Sequence, residues 1–152
     1  MSTTYADVFR ADLEQCAPGL HDDPDGAPAL NGAVARRALG CVVEAACTSQ
    51  NMHRFSLARA FMRRLPSAWV ARHIRYAIDD KLDVNDEWEF RRLLELLAGA
   101  EQRRVLVHFI KVGRESTNEE VKEAAEEFAQ SYSVGLPSFT TIPAGRVELQ
   151  IR

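Results

Sequence analysis

Apolar residues recur at intervals of three and four along most of the chain, which is the spacing of one face of an α-helix. Short polar or turn-forming stretches interrupt this pattern. Together they predict seven helices, over residues 5–15, 33–47, 52–65, 67–80, 87–98, 101–112 and 118–131. The sequence therefore predicts an all-α chain in which short turns join successive helices.

Residues that commonly begin and end helices stand at the edges of these segments. The predicted N-caps are Thr3 or Thr4, Asn31, Ser67, Asp86 and Thr117. The last two are each followed three residues later by a glutamate, the spacing of a capping box. Gly99 and Gly113 are predicted to end their helices in the left-handed conformation. Gly40, in the middle of the second helix, costs stability unless a close neighbour needs the space.

Two of the helical segments repeat one another at an offset of 31 residues. When residues 89–98 are aligned with 120–129, the apolar positions coincide: Phe90 with Val121, Leu93 with Ala124, Leu94 with Ala125, and Leu97 with Phe128. A period of roughly 20–50 residues with helix-turn-helix content is typical of a helical solenoid. We therefore predict three antiparallel pairs, namely 33–47 with 52–65, 67–80 with 87–98, and 101–112 with 118–131. An irregular helical bundle is the alternative.

These paired helices, each with an apolar stripe, resemble HEAT and armadillo repeats over residues 32–131. The resemblance implies a short right-handed superhelix that binds other macromolecules, and it implies no catalytic residues. A length of 152 residues predicts a single domain, preceded by an N-terminal helix and acidic loop (1–31) and followed by a non-helical tail (132–152). Apolar and polar residues alternate over 146–152, which is the period of a half-buried β-strand. This segment could form a loose hairpin with 138–142, stay disordered, or add as a strand to a partner or to a second copy of the chain, through which a dimer could form.

Composition is ordinary for a globular protein, with 46% hydrophobic and 27% charged residues. The chain has no apolar run that could cross a bilayer and no secretory signal at its N-terminus, so we expect a cytoplasmic protein. Its three cysteines lack Cys-x-x-Cys spacing, which favours reduced thiols at Cys16, Cys41 and Cys47. Sixteen of the nineteen basic residues are arginine, which we interpret as the base composition of a GC-rich genome.

Charge is unevenly distributed along the chain, although the net charge is only −3. Residues 45–78 contain no acidic residue but six arginines: Arg54, Arg59, Arg63, Arg64, Arg72 and Arg75. The first thirty residues and the stretch 115–131 are acidic. A basic surface of this kind can bind a phosphate backbone or an acidic protein. It can also be solvated, or neutralised by the chain's own acidic N-terminal segment.

The motifs of common catalytic and metal sites do not occur in the sequence. It contains no His-Glu-x-x-His motif, no histidine pair four residues apart and no Gly-x-Ser-x-Gly nucleophile motif. The acidic stretch 79–87 lacks the glycine that a calcium-binding loop needs at its sixth position. His73, close to Trp69 on an apolar helix face, is the one candidate general base. A histidine packed between helices is the alternative at that position.

The sequence therefore predicts a non-enzymatic protein, without cofactor or metal, that binds a protein partner with an acidic surface. The predicted partner-binding residues are Arg59, Arg63, Arg64, Arg72, Arg75 and Trp88. Trp88 is included because an exposed tryptophan beside arginines is typical of binding hot spots. Packing on the preceding turn or on a neighbouring repeat is the alternative for this side chain. A small bacterial inhibitor or immunity-type protein would fit this description. The alternatives are a nucleic-acid-binding helical repeat that uses the same arginines, and an enzyme with a site near His73.

Overall fold

A computed structural model describes residues 2–132 of the protein. The α-helices are α1 (Tyr5–Cys16), α2 (Gly32–Cys47), α3 (Met52–Arg64), α4 (Ser67–Lys81), α5 (Glu87–Gly99), α6 (Arg103–Arg114) and α7 (Glu119–Ser131). A short 3-10 helix (Pro24–Ala29) lies in the predicted acidic loop, and residues 2–132 contain no strand. The prediction of an all-α fold is confirmed for residues 2–132. The strand predicted over 146–152 lies outside the described residues.

The described residues divide into two compact units, with the boundary between Asp83 and Val84. In the first unit, α2 contacts α1, α3 and α4, and α1 also contacts α3. In the second unit, α5, α6 and α7 contact one another. The first and third predicted pairs therefore occur as contacting helices. The pairing of 67–80 with 87–98 crosses the boundary between the units, so this pairing and the single domain stay predictions.

Helix α2 is central to the first unit because it is apolar around most of its circumference. Nine of its residues are buried, and several of them are alanines that let neighbouring helices approach closely. Gly40 is one of the nine, and a Cβ atom there would lie 3.2 Å from Lys81 Cε. The absence of a side chain at Gly40 therefore makes room for the Lys81 side chain.

Helix α1 is attached to the first unit by a small aromatic cluster. Phe9 and Leu13 are buried on its inner face. The Phe9 ring meets the Phe61 ring edge to face, with centroids 5.9 Å apart. His21, beyond the end of α1, stacks on the Phe61 ring, with 5.5 Å between the two ring centroids. These contacts fix α1 against α3.

The roles predicted for two glycines are wrong. Gly113 lies inside α6, where it is buried against α5 and α7. A Cβ atom at this position would lie 2.8 Å from Ala125 Cβ and closer still to Phe90 Cζ. Gly99 is the last residue of α5, and the left-handed residue beyond it is Glu101, with φ of 58°. Gly113 is therefore required for close helix packing rather than for ending a helix.

Most of the predicted helix caps are confirmed. Thr4, Asn31 and Asp86 each accept a hydrogen bond from the backbone N–H three residues later, at 3.0–3.1 Å. The prediction that Ser67 is the N-cap of α4 is wrong. Pro66 occupies the cap position without a side-chain hydrogen bond, and Ser67 is the first helical residue.

No helix in the described part of the chain is long and apolar enough to cross a membrane.

Helix α7 is capped by Asn118 and not, as predicted, by Thr117. Asn118 Oδ1 accepts a hydrogen bond from Glu120 N–H at 2.9 Å, and its Nδ2 donates to the Asn85 carbonyl at 2.8 Å. We expect Asn118→Ala to lower the free energy of unfolding by about 1–2 kcal/mol. Thr117→Ala should change it by less than about 0.5 kcal/mol. Urea unfolding of both variants measures this, and a larger loss for Thr117→Ala would contradict the assignment.

Candidate functional site

The predicted partner-binding arginines of the first unit lie on α3 and α4. Their exposure differs: Arg63 and Arg64 are exposed at the end of α3, and Arg72 and Arg75 are exposed on α4, whereas Arg59 is half-buried. Within residues 2–132, Arg63, Arg64 and Arg72 form no ion pair. Among residues 2–132, three exposed guanidinium groups therefore have no carboxylate partner.

Trp88, the sixth predicted residue, lies in the first turn of α5 in the second unit. Its side chain is 49% exposed, which confirms the expected partial exposure. The Arg92 guanidinium stacks on it, 4.2 Å from the ring centroid. Arg91 is bound elsewhere, to Glu87 and, at 2.7 Å, to Glu127. The hydrogen bond from Arg91 holds the pKa of Glu127 below its usual value, so this charge pair persists at neutral pH.

The sequence did not predict a cleft, and the first unit contains one. It has a volume of about 860 Å³ and opens between α1, α2 and α4. Its charged lining residues are Arg36, Arg37, Arg54, Lys81, Asp12, Glu44 and Asp80. Arg54 Nη2 lies 3.1 Å from Asp12 Oδ2, and Lys81 Nζ lies 3.9 Å from Glu44 Oε1. Asp12 of the acidic N-terminal segment therefore neutralises Arg54 of the basic stretch.

An exposed aromatic side chain accompanies the cations at the edge of this cleft. Tyr76 is 55% exposed, and the Arg36 guanidinium lies 4.2 Å from its ring centroid. Sequence analysis missed this pair because Arg36 precedes the stretch without acidic residues. The available signal was the adjacent Arg36 and Arg37 in a helix whose one other charged residue is Glu44.

His73 lies on α4 with its ring centroid 5.5 Å from that of Trp69. Desolvation, followed by the positive charges of Arg72 and Arg36, lowers the pKa of His73. The imidazole is therefore uncharged at neutral pH. Because no carboxylate in the described part of the chain binds this ring, nothing there orients it as the base of a catalytic pair.

Two thiols line the same cleft. No disulfide joins the three cysteines, all of which lie within residues 2–132, as expected: Cys16 and Cys41 are partly exposed, whereas Cys47 is buried. Burial raises the pKa of Cys41 to about 12, and the neighbouring Cys16 and Asp12 contribute to the shift. Cys41 is therefore a thiol at neutral pH. No cluster of three or more histidine, cysteine or acidic side chains suited to a metal ion occurs among residues 2–132.

No protein-family model, curated protein or solved structure matches the chain.

Proposed function

We propose that this protein is a non-enzymatic binding protein whose partner is a protein with an acidic surface. The proposed contact residues of the first unit are Arg59, Arg63, Arg64, Arg72 and Arg75. The observation that carries the proposal is that Arg63, Arg64 and Arg72 are exposed and form no ion pair within residues 2–132. Such cations attract an anionic partner and favour correct orientation during encounter.

Trp88 is the proposed contact residue of the second unit. Its exposed ring beneath Arg92 combines the two residue types most enriched in binding hot spots. An indole already stacked on a guanidinium loses little conformational freedom when a partner binds.

The proposed scaffold is a short HEAT-like right-handed stack of three helix pairs. Support comes from the repeat at an offset of 31 residues and from the contacts of α2 with α3 and of α6 with α7. Stacked helical repeats present extended surfaces suited to binding macromolecules. A small cytoplasmic inhibitor or immunity-type protein of bacterial origin is the kind of protein that we propose.

A labelled peptide rich in glutamate tests the contact surface. We expect Arg63→Glu with Arg64→Glu to weaken binding of this peptide by at least about tenfold, equivalent to about 1.4 kcal/mol. The matched control is Arg103→Glu with Arg104→Glu, which makes the same change in net charge at two exposed, adjacent positions of the second unit. Fluorescence anisotropy measures both affinities. Equal weakening by the two double variants would contradict a specific surface, because only net charge would then matter.

A nucleic-acid-binding protein is the second candidate, and Tyr76 beneath Arg36 favours it. Exposed aromatic rings beside arginines can stack on bases while the cations bind phosphates. Binding of a labelled RNA or DNA oligomer would then fall by orders of magnitude between about 50 and 200 mM salt. Tight, salt-sensitive oligomer binding without peptide binding would replace our proposal. An enzyme with a site near His73 is the third and weakest candidate. Of the three candidate functions, only this one requires that His73→Ala abolish function.

A further inference from the structure

Cys16 and Cys41 bring two thiols together from neighbouring helices. Cys16 is the last residue of α1, Cys41 lies in the middle of α2, and these helices contact one another. Both side chains are partly exposed and line the same cleft, and the neighbouring Cys16 contributes to the raised pKa of Cys41. A small oxidant in solvent can therefore reach both sulfurs within one cleft.

We propose that Cys16 and Cys41 are a modification site, at which a peroxide converts the two thiols into a reversible disulfide. The Cys16 sulfur attacks one oxygen of hydrogen peroxide, the O–O bond breaks, and the departing hydroxide takes the thiol proton to form water. Cys16 is then a sulfenic acid. The Cys41 sulfur attacks the Cys16 sulfur, the S–O bond breaks, and the hydroxyl takes the Cys41 proton to leave as a second water. Two thiols lose two electrons to one peroxide.

The electrostatics of the cleft determine which sulfur reacts first. The raised pKa of Cys41 leaves little thiolate there, and thiolate is the form that attacks a peroxide. Cys16 is therefore the attacking residue and Cys41 the resolving residue. Burial is the largest cause of the raised pKa of Cys41, and the neighbouring Cys16 adds to it.

The disulfide would link the end of α1 covalently to α2. Crosslinking positions 16 and 41 closes a loop that contains His21 and the 3-10 helix, so the unfolded chain loses conformational freedom. We expect the oxidised protein to unfold at a higher temperature than the reduced protein. This inference is independent of the proposed partner.

The test treats the full chain with hydrogen peroxide after reduction and removal of the reductant. Free thiols are then counted under denaturing conditions. A second portion, in which the remaining thiols have been alkylated, is digested with trypsin. We expect the count to fall from three thiols to one, with a crosslinked peptide pair lighter by two hydrogen atoms. Cys41 and Cys47 share one tryptic peptide, since no lysine or arginine separates them. Fragmentation between them in the unmodified chain places the link without relying on any variant.

Two variants complete the test. Cys47→Ala should still form the link, whereas Cys41→Ser should leave a Cys16 sulfenic acid that dimedone traps in higher yield than in the wild-type protein. Restoration of all three thiols by dithiothreitol would support a reversible disulfide. The proposal would be overturned by a link to Cys47, by disulfides between chains, by a thiol count that stays at three, or by equal dimedone labelling in Cys41→Ser and wild type.

Discussion

Replacing Gly113 by alanine is expected to destabilise the second unit by about 1–3 kcal/mol, the usual cost of overpacking a close-packed core. The added Cβ would lie 2.8 Å from Ala125 Cβ and closer still to Phe90 Cζ. Phe90 and Ala125 are both fully buried, so neither can move aside without disturbing α5 or α7. Alanine in a helix gains up to about 1 kcal/mol over glycine, and the steric cost must exceed this gain.

Gly99 provides a matched control for this substitution. It also lies in a helix, but a Cβ atom there would meet no atom within 4 Å. Gly99→Ala is therefore expected to leave stability unchanged or to raise it by up to about 1 kcal/mol. Trp69 lies in the first unit and Trp88 in the second. Urea unfolding followed by fluorescence in a Trp69→Phe background thus reports the second unit.

A second substitution identifies the source of the strain. Phe90→Leu in the Gly113→Ala background removes the ring atom nearest to the new methyl group. The double variant should therefore lose less stability than the two single losses added together, because residues in contact are not additive. Strict additivity, or a Gly113→Ala protein more stable than the wild type, would show that α6 moves to accept the methyl group.

The helices could be predicted from sequence because helical periodicity is a local property. Each apolar stripe is visible within one segment, and so are caps such as Asn31 and Asp86. The role of Gly113 was not visible, because Phe90 and Ala125 are distant in sequence. A glycine that ends a helix and a glycine that admits a neighbouring helix look alike until the neighbour is known.

The candidate site was only partly predictable for the same reason. A run of arginines indicates a basic surface, but their partners decide which of them stay available. Arg54 binds Asp12 across 42 residues of sequence, whereas Arg63 forms no ion pair among the residues described. The cleft and its two thiols depend on how α1 and α4 pack on α2. No local pattern encodes that packing.

Replacing Phe9 by alanine is expected to lower the free energy of unfolding of the first unit by about 3–5 kcal/mol. The Phe9 side chain is only 2% exposed, and its ring contacts the rings of Phe61 and His21 with centroids 5.9 and 6.2 Å away. Truncation removes these contacts and leaves a cavity between α1 and α3. Val8→Ala is the matched control, because Val8 is adjacent in the same helix but 37% exposed. Its effect should stay below about 0.5 kcal/mol in urea unfolding.

The Phe9→Ala variant also shows whether α1 can detach while the rest of the first unit stays folded. Helix α1 supplies Asp12, Gln15 and Cys16 to the cleft, so its detachment exposes Cys41 on α2. Cys47 is buried at the end of α2, so the rate at which it is labelled reports opening of the remaining core. We expect Phe9→Ala to accelerate iodoacetamide labelling of Cys16 and Cys41 more than that of Cys47, because local opening needs less free energy than global unfolding. Equal acceleration at all three cysteines would instead show that α1 and the α2 core unfold as one cooperative unit.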